Sequence, residues 1–287
     1  MWPPSRRPGE AATGPLLFGV HVRRFVVVGL AFATLPLTAS TSRDFDPELP
    51  PAVRSVAQAQ SQRKHEFYFT RAIFSEGSRG FSGFRGGYGA WATDYPKADL
   101  QLISVLNRLA RELDSFDSEH VVRLDDPNLR LFPFIYAVEV GYMYLSDPEI
   151  KGLRDYLLAG GFLIVDDFWG RWQWEPFEAN IKAVLPEYEI VELPITHELF
   201  KAYYEIEEIR QVPSINRGCS GSSYSESGEG PSVHAIFNEH GRLLVLISFN
   251  SDLGDAWEWM EQACYPLREA TYAYQLIVNT IVYAMSH

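Results

Sequence analysis

Apolar positions recur along this chain with two different periods, and the switches between them mark out a regular series of elements. The aromatic and β-branched run Glu66–Arg71 suits a strand. From Pro96 the period lengthens: Leu100, Ile103, Leu106, Ala110 and Leu113 fall at helical spacing, predicting a helix with one apolar face. Short apolar strands are expected at Val121–Leu124 and Phe134–Val138. Ser146-Asp147-Pro148-Glu149 has the form of a capping box, and the helix it opens carries Ile150, Leu153 and Leu157 on one face. Gly160–Gly161 supplies a left-handed stop, and the uninterrupted apolar run Phe162–Val165 reads as a central parallel strand buried on both faces. A helix over Pro176–Val184 and a strand over Glu189–Leu193 come next. Val233–Phe237 and Leu243–Phe249 then flank the turn Asn238–Gly241 as a hairpin, and a last apolar helix runs from Pro266 to Met285.

Strands alternating with helices at this spacing predict an α/β fold with a doubly wound, mostly parallel sheet, followed by a C-terminal β-hairpin and helix. Two stretches break the pattern. Gly77–Gly89 holds six glycines in thirteen residues, and Arg217–Gly230 is rich in Gly and Ser; both read as loops. No internal repeat is visible, and residues 65–287 read as one domain.

The amino-terminal part has a different character. Arg23 and Arg24 precede the apolar run Phe25–Leu37, and the small residues Thr38, Ala39 and Ser40 follow. That order is the pattern of a secretory signal, so residues 1–40 are expected to be a signal peptide or, uncleaved, an N-terminal anchor. The apolar run is shorter than the roughly 20 residues of a membrane span. Residues 41–64, rich in Pro, Ser, Gln and Ala, read as a disordered linker. The expectation is an exported protein of the periplasm or cell envelope, touching a membrane only through a retained N-terminal segment. In an oxidising compartment Cys219 and Cys264 can pair across about 45 residues; otherwise they are two unrelated thiols.

Charge narrows the partners. The formal net charge is −12, and without the first forty residues 21 basic face 36 acidic side chains. Such a surface repels phosphate backbones, so no nucleic-acid partner is expected. Neither a P-loop nor a GxGxxG fingerprint stands in the right context, the seven histidines show no metal-ligand spacing, and two cysteines alone make no zinc site. No metal or cofactor is therefore expected. Gly218-Cys219-Ser220-Gly221 lacks the spacing and preceding strand of a nucleophile elbow.

In open α/β sheets ligands bind beyond the carboxyl ends of the strands, which directs attention to the residues just after each one. Asp166–Asp167 is the sharpest feature, because two adjacent carboxylates after a buried strand repel one another. Either they form an acid/base or metal-holding pair, or one caps the next helix while the other pairs with an arginine such as Arg171. Arg71, Trp91, Asp94, Tyr95, Glu139 and Trp169 complete the expected ligand-binding crevice. His197, after the fifth strand, is a candidate general base beside Asp167. The tryptophans near loops, including Trp172, Trp174, Trp257 and Trp259, suit sugar or peptide recognition and equally suit satellite core.

The ordered set of motifs resembles one bacterial family. It comprises FTR at Phe69–Arg71, WATDYP at Trp91–Pro96, LDDP at Leu124–Pro127, LSDxE at Leu145–Glu149, GGFLIVDDF at Gly160–Phe168 and NSDLGDAW at Asn250–Trp257. The family is domain of unknown function 4159, and the likeness spans Glu66–His287. It implies a glutamine-amidotransferase-like and trehalose-utilisation-like fold, and hence a flavodoxin-like sheet. Class I glutamine amidotransferases carry a catalytic cysteine on the sharp turn after a central strand; here that turn is read as Asp166–Asp167, so thioester chemistry is not available. Three functions remain open: a non-catalytic binding module of the envelope for an unidentified small molecule, possible ligands being carbohydrate or peptide; a hydrolase-type enzyme using Asp167 with His197; and a scaffold for an envelope protein partner.

Overall fold

The computed structural model describes residues 65–77, 89–110, 113–221 and 228–287. The expected signal and linker, most of the glycine-rich loop and the tip of the Gly/Ser loop lie outside the described residues. Seven strands form one mixed α/β sheet: β1 (Thr70–Ile73), β2 (His120–Arg123), β3 (Phe134–Val138), β4 (Phe162–Asp166), β5 (Ile190–Glu192), β6 (Ser232–Phe237) and β7 (Leu243–Phe249). Their order is β2-β1-β3-β4-β7-β6-β5. The pairings from β2 across to β7 are parallel, while β6 runs antiparallel to both β7 and β5.

Side-chain alternation decides which helices cover which face. Phe134, Tyr136 and Val138 of β3, with Phe162 and Ile164 of β4, pack against α1 (Lys97–Leu109), α5 (Leu253–Trp259) and α6 (Leu267–Ser286). The intervening Ile135, Ala137, Leu163 and Val165 face α2 (Asp147–Leu158) and α3 (Gly170–Val184). Both faces of the central strands are thus apolar, as their sequence pattern predicts. Asp166 continues the Phe162–Ile164 face and so points toward α5.

Local signals account for most boundaries. The capping box forms: Ser146 N and Oγ both donate to Glu149 Oε2, at 2.9 and 2.6 Å. Glu149 Oε1 also accepts from Ser75 N, which ties the start of α2 to the segment after β1. Gly160 takes the left-handed conformation (φ 106°), and the chain turns directly into β4. Asn238 Oδ1 accepts from His240 N and Arg242 N and closes the β6–β7 turn.

Three expectations are corrected. The buried face of α1 is Ala98, Asp99, Leu102, Ile103 and Leu106, while Leu100 is exposed. Helix α3 starts at Gly170, six residues before Pro176, because Asn250 Oδ1 and Gln173 satisfy the first backbone donors. The hairpin is no appendage: β7 pairs with β4 and lies inside the sheet. No helix among the described residues is long and apolar enough to cross a membrane.

Cys219, in the short helix α4 (Ile215–Ser220), is joined to Cys264, between α5 and α6, by a disulfide. The bond closes a loop spanning 45 residues. Reduction, or the double substitution Cys219→Ser/Cys264→Ser, is expected to cost about 4 kcal/mol. Urea unfolding with and without dithiothreitol checks this; coincident curves would contradict it.

Candidate functional site

A cleft of about 380 Å³ opens over the carboxyl ends of the central strands, lined by segments that follow β1, β3, β4 and β7. After β1 come Thr93 and Asp94; after β3, Glu139 and Tyr142; after β4, Asp167, Trp169, Trp172 and Gln173. Asp252 and Asp255 follow β7, and Ser214 closes the side. Strand order reverses beside β1, with β2 on one side and β3 on the other, so the cleft sits where ligands bind in open α/β sheets.

Backbone conformation sharpens each turn. Asp94 (φ 62°), Glu139 (φ 55°), Asp167 (φ 52°) and Asn250 (φ 56°) are the non-glycine residues in the left-handed region among those described. Each non-glycine residue held there costs of order 1 kcal/mol or more, and such residues concentrate at functional sites. Cross-links hold the turns in place. Glu139 N donates to Asp166 O (3.1 Å), Asp167 N to Ser251 O (3.1 Å), Asn250 N to Phe168 O (3.1 Å) and Asp252 N to Val212 O (3.0 Å).

The two adjacent aspartates have separate roles. Asp166 is fully buried; its Oδ2 accepts from Leu253 N (2.7 Å), Gly254 N (3.3 Å) and Tyr136 Oη (3.2 Å). It caps α5 rather than the helix that follows it in sequence, and does not line the cleft. Burial pushes its carboxyl up to about 7, against the pull of those hydrogen bonds. Asp167 lines the cleft and accepts from Trp169 Nε1 at 2.8 Å. Arg171 pairs with Glu175 instead of either aspartate.

Arg71 is corrected from ligand contact to buried support. Its guanidinium forms a fork on Asp99 (Nη2–Oδ1 2.5 Å, Nε–Oδ2 3.2 Å) and donates to Trp91 O and Thr93 O. Burial works to lower its pKa, but the Asp99 charge and hydrogen bonds win, and the group is held above its usual range. Arg71 thereby fixes the backbone on which Asp94 stands. Trp91 and Tyr95 pack on each other beside it and also miss the cleft wall.

His197 is not brought to Asp167. Its ring packs on Phe237 and Tyr283. Phe237 is paired with Leu243, the first residue of β7, whereas the cleft lies past its last. Seven residues of strand put roughly 20 Å between those ends, far beyond transfer of a proton directly or through one water. Instead His197 caps the turn Glu198–Lys201, with Nδ1 accepting from Leu199 N.

Asp252 and Asp255 were not among the residues predicted. They are 3% and 7% exposed, and oxygens of Asp94, Asp252 and Asp255 all lie within 4.8 Å of one another. Burial, then the charges of Asp255, Asp167 and Glu258, pushes Asp94 well above the carboxylate range. Burial and the charges of Asp167, Asp255 and Asp94 do the same to Asp252. The missed signal was positional: NSDLGDAW follows a strand just as Asp166–Asp167 does. Of the tryptophans, Trp169 and Trp172 line the cleft, Trp174 packs on Phe168 and Phe249, and Trp257 is wholly buried.

No curated protein matches the chain at a significant level. A family model does: it covers residues 81–285, from the glycine-rich segment through α6, and includes every residue that lines the cleft. The chain belongs to DUF4159, a family defined as a domain of unknown function.

Proposed function

We propose that this chain is an exported, non-catalytic binding domain of the cell envelope whose cleft takes a small hydroxyl-rich ligand, a carbohydrate in preference to a peptide. The observation that carries this reading is the composition of the cleft wall. Carboxylates of Asp94, Glu139, Asp167, Asp252 and Asp255 line the cleft together with Tyr142, Trp169 and Trp172. Flat apolar rings stack on the faces of a sugar while carboxylates accept its hydroxyl protons. The volume lies at the small end of the range for small-molecule pockets. Trp172 is 62% exposed and edge-on to Tyr142, placing an aromatic rim at the mouth.

Two further observations support the rest of the reading. The parallel strands follow β2-β1-β3-β4-β7, the order 2-1-3-4-5 of a flavodoxin-like sheet with the last position filled by the hairpin strand. This supports an amidotransferase-like scaffold. Its two sharp turns after central strands carry Glu139 and Asp167, where the class I glutamine amidotransferases carry a cysteine nucleophile. The Cys219–Cys264 disulfide supports export, because such bonds persist in oxidising compartments.

A thermal-shift panel of mono- and oligosaccharides and short peptides on the full chain tests the proposal. At least one saccharide class is expected to raise the melting temperature. Trp172→Ala is expected to leave stability within about 0.5 kcal/mol and to weaken that ligand at least tenfold. A binder unaffected by Trp172→Ala would move the site elsewhere. A turnover abolished by Asp167→Ala with the fold intact would overturn the non-catalytic assignment.

A further inference from the structure

We propose that Asp94, Asp252 and Asp255 form a binding site for a hard divalent cation, with Ca²⁺ the preferred ion. The site lies in the cleft described above and deepens that reading by naming an inorganic component of the ligand.

Three independent features carry it. The first is an orphaned atom. Asp94 Oδ2 is closed off from solvent and no hydrogen bond reaches it. It faces the turn between the other two aspartates: a Cβ added at Gly254 would stand 2.5 Å from it. The bare glycine leaves the room in which this oxygen and the Asp252–Asp255 turn converge. A buried carboxylate oxygen without a donor is costly, and coordination to a cation removes that cost.

The second is charge. No lysine, arginine or histidine stands among the described residues that line the cleft. The nearby Arg71 is engaged in its fork on Asp99, and Lys97 lies against Glu258 (3.9 Å) and the face of Trp259. Carboxylates that the fold brings together, with Asp252 and Asp255 buried and Asp94 partly so, need a counter-charge or must hold protons. The segments that carry them are fixed independently by backbone cross-links, so the convergence is built into the scaffold.

The third is the donor set and its size. Carboxylate oxygens suit Ca²⁺, Mg²⁺ and Mn²⁺, and the cleft lining offers neither thiolate nor imidazole among the described residues. The oxygens spread over no more than 4.8 Å. Two ligands on opposite sides of Ca²⁺ stand about 4.6–5.2 Å apart and on Mg²⁺ about 4.2 Å. That bound admits one ion held by all three residues; the preference for Ca²⁺ rests on its flexible shell of roughly 6–8 oxygens, where Mg²⁺ is usually held by one or two carboxylates in strict octahedral geometry.

The test is calorimetric titration of the EDTA-treated full chain with CaCl₂, MgCl₂ and MnCl₂, with melting temperature as a second readout. Ca²⁺ is expected to bind with a dissociation constant of about 10⁻⁴ M or tighter and to raise the melting temperature by about 5 °C or more at saturation. Asp255→Asn and Asp252→Asn are each expected to weaken Ca²⁺ at least tenfold. A folded variant that keeps wild-type affinity overturns the site. So does a wild-type chain that shows neither heat nor a melting shift with any of the three ions. This failure is distinct from failure of the carbohydrate reading: saccharide binding unchanged by EDTA, with no cation bound, removes the ion and leaves the cleft.

Discussion

Arg71→Met is expected to lower the unfolding free energy by about 3–5 kcal/mol, the range for removing one partner of a buried ion pair. Arg71 and Asp99 are both fully buried. Methionine fills much of the same volume but leaves Asp99 charged in an apolar layer, and strips Trp91 O and Thr93 O of their donor. Pairing the change with Asp99→Leu is expected to recover part of the loss, because the uncompensated charge is gone while the two carbonyls stay unsatisfied. Chemical denaturation of the two variants measures both steps. A single variant within 1 kcal/mol of wild type would show that the pair is not desolvated as the geometry indicates. The consequence reaches the cleft, since Thr93 precedes Asp94: cation and ligand affinity should fall in Arg71→Met even though Arg71 touches neither.

That indirect role illustrates what the sequence makes legible. Elements specified by neighbouring residues are readable: β3 falls on Phe134–Val138, β7 on Leu243–Phe249, the capping box on Ser146–Glu149 and the turn on Asn238–Gly241. Asp94 comes with the aromatic and acidic residues near predicted loops, while Glu139, Asp167 and Trp169 follow from one rule, that chemistry gathers after strand ends; all four line the cleft. The same rule misplaced His197 because the chain after the edge strand β5 doubles back along the sheet to Phe237 and Tyr283. It passed over Asp252 and Asp255 for a related reason. The β6–β7 hairpin is complete as a local pattern, and nothing within it encodes that β7 also pairs with β4, some eighty residues earlier. Arg71 was placed correctly at a strand and wrongly in the crevice, since its partner Asp99 sits on a helix whose buried face is rotated by about one residue from the periodicity read off Leu100.

The pH dependence of stability is the most direct measure of how those groups are buried. Asp166 is raised from an ordinary value of 3.8 to about 7, chiefly by desolvation. A carboxyl whose folded pKa lies above its unfolded value favours folding while protonated. Its contribution is complete below about pH 4 and is lost as pH rises through about 7. Three units correspond to about 4 kcal/mol from this residue, and Asp94 and Asp252 shift in the same direction. Wild-type protein in EDTA is therefore expected to lose stability between pH 4.5 and 8.5, the reverse of a protein dominated by paired surface carboxylates. Asp166→Asn carries no titrating group at that position, so its profile should be flatter by about 4 kcal/mol across the range. Urea unfolding at one-unit pH intervals on both chains gives the comparison, and parallel profiles would sink the assignment. The sign also follows from the role given to Asp166. A charged carboxylate best satisfies the N–H groups of Leu253 and Gly254, yet its second oxygen, Oδ1, is buried without a partner. A proton on Oδ1 relieves that burial while Oδ2 keeps accepting from α5, so protonation stabilises the fold without releasing the helix it caps.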